Sequence, residues 1–273
     1  MNIKQKVETK VKQTLKKVKL SKNKRILVAL SGGKDSTAVA YILHKLGYKL
    51  IGFHIDLGLG KYSEKCLDKI RLLCGDLKIE LHIYNVKKEM GSSMCYLRSA
   101  IQAKKKGLKN CAICGVLKKW ILNREARKFK PDYIATGHNL DDEVQTFLLN
   151  ILKGSPKLSS NSGVVTRNLS DKKFIPRLKP LFYVAEDDVR SYVKFMKLPY
   201  HPESCPCALD SYRIQLRKFL EKTPTKEKEN IIKNFDSMFP RLEKLKDSEL
   251  NFCSKCGEPS RRKICKKCDL LNI

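Results

Sequence analysis

One short segment constrains the fold of this chain more than any other, the run Ser31-Gly-Gly-Lys-Asp-Ser36. An apolar run, residues 26–30, precedes it and an amphipathic stretch, residues 37–46, follows it. Adjacent glycines let the backbone approach an anion closely, and the N–H groups that open the next helix point at that anion. The segment therefore predicts a strand, a glycine turn and a helix that together bind phosphate. It lacks the second glycine and following lysine of the GxxxxGK(S/T) loop, so it belongs to a different type.

Strands and helices alternate after this segment. Apolar runs predict strands at 25–30, 50–55, 79–85 and 133–136, and helical periodicity predicts helices at 36–46, 63–73, 92–106, 115–129 and 141–152. We expect the helix at 115–129 to start from a turn that holds Cys111 and Cys114. This alternation indicates the α/β class, with a twisted parallel sheet covered by helices on both faces. Ligands of such sheets bind beyond the carboxyl ends of the strands, where the glycine segment, residues 55–58 and Gly137-His138-Asn139 are expected to meet.

The composition predicts four segments along the chain. Residues 1–24 form a basic amphipathic helix, residues 25–200 the α/β domain, residues 201–250 a helical segment that carries Cys205, and residues 251–273 a small finger. A loop is expected at 153–173, which is rich in Ser, Asn, Gly and Lys, and further helices at 185–196, 211–222 and 225–235.

Charge narrows the class of partner. The net charge is +29, from 57 Lys and Arg against 28 Asp and Glu, with basic clusters at 4–25, 98–130 and 261–267. Such a charge is costly in self-repulsion unless a polyanion is bound, so RNA or DNA is the expected partner. No run reaches 18 apolar residues, so we expect no membrane association and a cytoplasmic location. In that compartment the 11 cysteines indicate metal binding or catalysis rather than disulfides.

The C-terminal cysteines have the spacing of a zinc site. Two Cys-x2-Cys turns can place four thiolates around one ion in a tetrahedron. The finger is too small to fold on apolar burial alone, so bound zinc is expected to supply its folding energy. The predicted zinc ligands are Cys253, Cys256, Cys265 and Cys268.

A second cysteine group is only half a site by itself. Cys111 and Cys114 form one Cys-x2-Cys turn, and Cys205 and Cys207 are candidates to complete it. Three thiolates would hold an iron–sulfur cluster with one iron free of protein ligands, whereas four would close the cluster. Redox thiol chemistry, in which one cysteine takes up a persulfide and another resolves it, is the alternative. The other cysteines in predicted helices are interpreted as packing residues: Cys66, Cys74 and Cys95.

The order of these motifs resembles the tRNA 2-thiouridine synthetase family of PP-loop ATP pyrophosphatases. The resemblance runs from about residue 5 and includes the glycine segment, Cys-x2-Cys-Gly at 111–115, Gly-His-Asn-Leu-Asp-Asp-Glu at 137–143, Cys-Pro-x-Ala at 205–208 and the finger. That family comprises T-loop thiolases and wobble-uridine thiolases. It implies that Cys111, Cys114 and Cys205 bind an oxygen-sensitive 4Fe–4S cluster whose open iron carries the sulfur.

The resemblance also implies a reaction and a set of site residues. AMP is transferred from ATP to uracil O2, Mg²⁺ and Lys34 neutralise the pyrophosphate, and sulfur then displaces AMP at C2 of the uridine. Nucleotide binding falls to Ser31, Gly32, Gly33, Lys34, Asp35, Ser36, Ile55, Asp56, Gly137, His138 and Asp141. The catalytic residues implied are Cys111, Cys114, Cys205, Lys118 and Asp142. Capping of the helix that follows is the alternative role for the two aspartates.

Two departures from the family and several alternatives stay open. No cysteine precedes Cys66, although many relatives begin with a second finger, and Cys207 is an unexpected fourth thiol. A tRNA 2-thiocytidine synthetase, a lysidine synthetase and a non-catalytic zinc-containing RNA-binding protein are the competing functions. The family further implies a homodimer, and a sulfur donor that is a ubiquitin-like thiocarboxylate protein, a cysteine desulfurase product or free sulfide.

Overall fold

A parallel sheet of five strands forms the centre of the part of the protein that the computed structural model describes, residues 2–105, 107–166, 173–208, 213–244 and 251–272. The strand order is β3-β2-β1-β4-β5, and every neighbouring pair is parallel. The strands are β1 Arg25–Leu30, β2 Lys49–Asp56, β3 Glu80–Asn85, β4 Tyr133–Ala135 and β5 Arg177–Leu178. The predicted parallel α/β fold is confirmed.

The helices lie between and around these strands. They are α1 Ile3–Lys17, α2 Lys34–Lys45, α3 Lys61–Asp76, α4 Val86–Met90, α5 Met94–Lys104, α6 Asn110–Ala126, α7 Leu140–Leu152, α8 Glu186–Phe195, α9 Arg213–Glu221, α10 Thr225–Lys244 and α11 Lys266–Leu271. Short 3-10 helices occupy Arg127–Phe129 and Pro156–Asn161, and a small antiparallel hairpin pairs β6 Asn251–Phe252 with β7 Pro259–Ser260. Parts of the loop expected at 153–173, of the helix expected at 211–222 and of the segment 201–250 lie outside the described residues.

Both faces of the sheet are covered. On β1, Ile26 and Val28 belong to a core that includes α1, α2 and α8, whereas Leu27 belongs to a second cluster with Leu122 of α6. A strand buried on both faces needs a continuous apolar run rather than an alternating one, as residues 26–30 have. Helix α1 is part of the larger core, since Val7 is completely buried there. Within the described part of the chain, no helix has the length and apolar composition needed to cross a membrane.

Helix α6 starts earlier than the sequence predicts. It begins at Asn110, after an extended Lys109, so Cys111 and Cys114 lie in its first turns rather than in a preceding turn. Gly115 does not stop the helix, because an interior glycine costs only about 1 kcal/mol and buried Ile113 and other apolar residues hold the helix against the core. Residues three apart on a helix share a face, so both sulfurs are presented on the same side.

Several short elements were not expected, and α4 and β5 are two of them. Helix α4 has five residues and strand β5 has two. Neither is long enough to show a hydrophobic period in the sequence. Strand β5 forms because its backbone pairs with β4, a partner that lies more than forty residues earlier in the chain.

Candidate active site

The glycine segment forms the predicted strand–turn–helix. Strand β1 ends at Leu30 and α2 begins at Lys34. Ser36 fixes the turn, because its hydroxyl accepts a hydrogen bond from the Ser31 N–H (3.1 Å) and donates one to the Gly33 carbonyl (3.1 Å). Gly32 has φ +83°, and a Cβ there would lie 2.8 Å from the Cβ of Cys66 on α3. The loop amides therefore depend on glycine at this position, and α3 packs directly beneath them.

The β4–α7 turn packs against this loop, as predicted. A Cβ on Gly137 would lie 2.8 Å from the Ser36 nitrogen, so only glycine permits this approach. The Asn139 amide donates a hydrogen bond to Asp35 (3.1 Å), and the His138 imidazole contacts the Thr136 hydroxyl (2.8 Å). Two segments that are about one hundred residues apart in the chain therefore form one surface at the carboxyl edge of the sheet.

Lys34 lies in an acidic environment. Its ammonium pairs with Asp35 at 2.8 Å and with Glu186, in the first turn of α8, at 3.1 Å. Burial alone would lower the pKa of Lys34, but the charges of these two carboxylates outweigh it and the pKa is raised. The lysine is therefore held as a cation that points over the loop. The sequence identified Lys34 and Asp35 but not Glu186, whose only signal is its place at the start of a predicted helix.

The two neighbouring aspartates of α7 have different partners. Asp141 accepts a hydrogen bond from the Glu186 backbone N–H (2.7 Å) and pairs with buried Lys228 of α10 (2.5 Å). It thus caps α8 and anchors α10. Asp142 forms a capping box with Asn139 and lies 3.9 Å from Arg217 of α9.

Compared with Asp141, the carboxylate of Asp142 has fewer strong partners and is the better candidate to bind a cation. Burial, together with the nearby charge of Asp35, raises its pKa to about 6. Two carboxylates that repel each other in this way suit a cation by their chemistry, since a bound cation removes the repulsion. A small cleft opens here, lined by Asp141, Asp142, Gln145, Glu186, Arg217, Leu220 and Glu221.

The end of β2 borders the same edge. Ile55 is partly buried and packs against two apolar clusters that both include residues of α6. Both carboxylate oxygens of Asp56 accept hydrogen bonds, one from the Gly58 N–H (2.9 Å) and one from the Asn85 amide (2.9 Å). Asp56 therefore shapes the loop after β2, and its position at the carboxyl edge is the predicted one.

The Cys205 segment is attached to the glycine loop. The His201 N–H donates a hydrogen bond to the Gly32 carbonyl (2.8 Å), and the Thr37 hydroxyl contacts the Pro199 carbonyl (3.4 Å). Residues 201–208 are irregular rather than helical. This attachment brings Cys205 to the edge where the loop lies.

Three of the predicted cysteines meet near Lys118. Burial raises the pKa of Cys114. The nearby charges of Lys118 and Arg98 act to lower this pKa, and Cys111 acts to raise it. Burial likewise raises the pKa of Cys205, which also interacts electrostatically with Cys114 and Lys118. Cys111 is exposed at the start of α6. These thiols do not converge on one point as ligands of a single ion do, whereas ligands of different irons in a four-iron cluster need not converge.

Cys95 differs from the interpretation drawn from the sequence. Cys66 and Cys74 are buried, as expected of packing residues. Cys95 is partly exposed, and its sulfur lies 3.1 Å from a guanidinium nitrogen of Arg98 that also contacts Cys207 (2.9 Å). The packing interpretation is therefore wrong for Cys95, because α5 turns this residue toward the Cys207 loop instead of the core.

The finger brings its four sulfurs together. The sulfurs of Cys253, Cys256, Cys265 and Cys268 all lie within 4.8 Å of one another. Backbone N–H groups point at them, with the Cys265 nitrogen 3.2 Å from the Cys253 sulfur. Four converging thiols of this kind match a tetrahedral thiolate site.

The finger packs against the far end of α6. Buried Glu258 accepts hydrogen bonds from both terminal nitrogens of Arg127, and Lys267 lies 4.4 Å above the ring of Trp120. At the rim, Lys105 of α5 pairs with Asp269 (2.8 Å). One helix therefore carries Cys111 and Cys114 at its start and supports the finger at its end.

Comparison with known proteins gives consistent matches. Residues 3–223 match the PP-loop domain family. The chain is 35% identical over 266 residues to a tRNA-5-methyluridine(54) 2-sulfurtransferase of Pyrococcus horikoshii, covering 96% of this chain and 83% of the relative. It is 34% identical over 257 residues to the cytoplasmic tRNA 2-thiolation protein 1 of Drosophila willistoni, covering 90% and 73%.

A solved structure matches almost the whole chain. The U34-tRNA thiolase NcsA from Methanococcus maripaludis, determined with its 4Fe–4S cluster, superposes with a TM-score of 0.79 at 29% identity. The match covers 99% of this chain and 87% of NcsA.

Proposed function

The chain belongs to the PP-loop family of tRNA 2-thiolation enzymes, and from that premise we propose that it is an ATP-dependent tRNA-uridine 2-sulfurtransferase. The observation that carries the proposal is the joining of two chemistries at one edge of the sheet. The glycine loop holds the Cys205 segment through the 2.8 Å hydrogen bond between Gly32 and His201. An activating site and a sulfur site are thus adjacent. Relatives that act on uridine favour this function over 2-thiocytidine or lysidine synthesis.

The first half-reaction uses the glycine loop. We assign the phosphates of ATP to the loop amides of Gly32 and Gly33, to the hydroxyls of Ser31 and Ser36, and to Lys34. Lys34 is held as a cation by Asp35 and Glu186, so it balances the charge of the departing pyrophosphate. We assign adenine and ribose to the surface beside Ile55 and Asp56 at the end of β2, and we assign Gly137 and His138 to the border of the phosphate site.

A divalent cation fits between the carboxylates. Burial and the nearby charge of Asp35 disfavour ionisation of Asp142, and Mg²⁺ prefers such carboxylate oxygens together with phosphate oxygens. Bound there, Mg²⁺ would polarise the phosphate that uracil O2 attacks. Asp141 supports the site indirectly, because it positions Glu186 and α10.

The second half-reaction uses the cysteines. We assign Cys111, Cys114 and Cys205 as ligands of a 4Fe–4S cluster, the group present in NcsA. When bound by three thiolates, such a cluster supplies one coordination position for exogenous sulfur. Lys118 lies one turn after Cys114 and keeps a positive charge beside these thiols.

The remaining partners follow from charge and from the finger. The net charge of +29 and the basic finger residues 261–267 suit the phosphates of tRNA. We assign zinc to the four finger cysteines, whose sulfurs already converge. We further propose a cytoplasmic location, a homodimer, and a sulfur source that is a thiocarboxylate protein, a cysteine desulfurase product or sulfide. Reduced cysteines in this number suit a reducing compartment.

The test combines products and variants. Anaerobic protein reconstituted with iron and sulfide should convert ATP to AMP and pyrophosphate only with tRNA, and nucleoside mass spectrometry should detect 2-thiouridine. Asp35→Ala should abolish both products, because this carboxylate orients the loop lysine and Asn139. Asp187→Ala is the matched control, since that side chain is 86% exposed on α8 and should leave activity unchanged. Formation of ADP and phosphate instead would contradict the proposal.

A further inference from the structure

The guanidinium of Arg98 is buried between two sulfurs. Arg98 lies on α5 and is only 7% exposed. One of its terminal nitrogens donates to the Cys207 sulfur at 2.9 Å and to the Cys95 sulfur at 3.1 Å. Its Nε is buried without a hydrogen-bond partner among the residues described. The groups that act on its charge there are the sulfurs of Cys207, Cys95 and Cys114 rather than carboxylates. Arginine buried in proteins usually meets carboxylate or phosphate, so this pairing indicates a site for anionic sulfur.

The two thiols lie beside the cysteine site and are not among its three assigned ligands, although Cys207 is close to both Cys114 and Cys205. Cys207 comes two residues after Cys205, whereas Cys95 comes from a separate helix. Both are partly exposed, so a small thiol reagent can reach them. They also interact with each other, and both lie close to the same nitrogen. The two sulfurs are therefore close neighbours, as a disulfide between them requires.

We propose that Cys207 and Cys95 form a dithiol that takes sulfane sulfur from a persulfide donor and releases it as hydrosulfide beside the Cys205 site. This inference rests on the proposed sulfurtransferase function, and it identifies the chemical class of the sulfur source as a persulfide, R–S–SH.

Sulfur transfer and hydrosulfide release need no reactant besides the persulfide and the two thiols. A reductant is needed only to reduce the disulfide that remains. The Cys207 thiolate attacks the terminal sulfur of R–S–SH, the S–S bond breaks, and R–S⁻ leaves, so the proton stays on the new Cys207–S–SH group. The Cys95 thiolate then attacks the Cys207 sulfur, hydrosulfide leaves, and a Cys95–Cys207 disulfide forms. The transferred sulfur gains two electrons and the two cysteines lose two. A dithiol reductant of the thioredoxin class returns the pair to its thiols.

Arg98 is a catalytic residue in this scheme, because one of its nitrogens contacts both reacting sulfurs. It holds the attacking and leaving sulfur anions in turn. A hydrogen bond to a charged group contributes enough that its loss should slow hydrosulfide release about tenfold or more.

The experiment uses the reduced, zinc-loaded full chain with glutathione persulfide and no ATP or tRNA. We expect hydrosulfide release and, after alkylation and peptide mass spectrometry, a disulfide that joins Cys95 to Cys207. Cys95→Ala should trap a persulfide on Cys207 and release no hydrosulfide. Cys207→Ser should neither carry a persulfide at position 207 nor release hydrosulfide. Cys74→Ala is the matched control, since Cys74 is buried in the core away from this pair and should behave like the parent chain.

Arg98→Met should slow hydrosulfide release about tenfold, and Arg98→Lys should restore part of the rate, with unchanged melting temperatures confirming that both variants fold. Persulfide found only on Cys111, Cys114 or Cys205, or release that continues in Cys95→Ala, would overturn the proposal. Loss of iron from anaerobically reconstituted Cys207→Ser would also overturn it, because Cys207 would then be a cluster ligand. None of these results depends on tRNA thiolation, so the proposed function is tested separately.

Discussion

In the finger, four cysteine sulfurs lie within 4.8 Å of one another and all come from residues 253–268. At the second cysteine site, Cys111 and Cys114 come from the start of α6, and Cys205 comes from a loop about ninety residues later. The finger surrounds one ion position completely, as a structural site does. The second site is assembled from distant segments beside the glycine loop, and three thiols leave room for an outside group. A closed site thus needs only local spacing, whereas a reactive one needs the fold.

Helix α6 connects the two sites. Its first turns carry Cys111 and Cys114, and Trp120 in its second half contacts the finger. Arg127, directly after its last turn, pairs with Glu258 of the finger. The finger therefore supports the helix that presents the two cysteines proposed as cluster ligands. Four changes, taken from the largest expected effect to the smallest, test how independent the two sites are.

Removal of one reactive thiol should have the largest effect. Cys114→Ala should reduce 2-thiouridine below detection and lower the iron content, because Cys114 lies close to both Cys111 and Cys205. Zinc content and ATP binding should stay unchanged. Metal analysis and tRNA nucleoside mass spectrometry give both results from one preparation, with Cys74→Ala as the control. Loss of zinc together with iron would mean that the two sites are not independent.

Removal of a zinc ligand should weaken the binding of tRNA more than the binding of ATP. Cys268→Ser should release zinc and expose the amides of residues 251–272 to hydrogen exchange, because the finger has little other core. The affinity for tRNA should fall, and the slope of log affinity against log salt should become shallower by about 0.7 to 0.9 for each phosphate that the finger no longer neutralises. Chelation of zinc from the unaltered chain should reproduce this. Unchanged tRNA affinity would make the finger purely structural.

The buried ion pair between finger and α6 should have a moderate effect. Glu258→Gln weakens a two-pronged, charged pairing with Arg127, so the free energy of finger opening should fall by about 2 kcal/mol. Hydrogen exchange of residues 251–272 in zinc-loaded protein measures this. A double-mutant cycle with Arg127→Met should show that the two changes are not additive.

The exposed ion pair at the rim of the finger should matter least. Lys105→Ala removes the pairing with Asp269 at the protein surface, so it should change the opening free energy by no more than about 1 kcal/mol. The same exchange measurement compares it directly with Glu258→Gln. A larger effect for Lys105→Ala would show that the rim, and not Glu258, holds the finger.

Much of the candidate site could be predicted from the chain alone. The glycine segment, the Gly137 turn and the finger cysteines are each encoded within a few residues, and each lies where the sequence predicts. The alternation of apolar runs and helical periods was sufficient to predict the parallel sheet and its functional edge. Local patterns of this kind act through φ/ψ preference and burial, which depend little on distant residues.

Tertiary structure alone decided how the partners of these segments are arranged. Glu186 meets Lys34, Lys228 meets Asp141, and Arg98 lies between Cys95 and Cys207, each across a long stretch of chain or between separate elements. Nothing near Cys95 in the sequence distinguishes a thiol turned toward a loop from one packed in the core. The separate roles of Asp141 and Asp142 likewise depend on which oxygen meets α8 and α10. Charge pairing and sulfur contacts act through space at a few ångströms, so they are set by how the elements pack and not by the order of the residues.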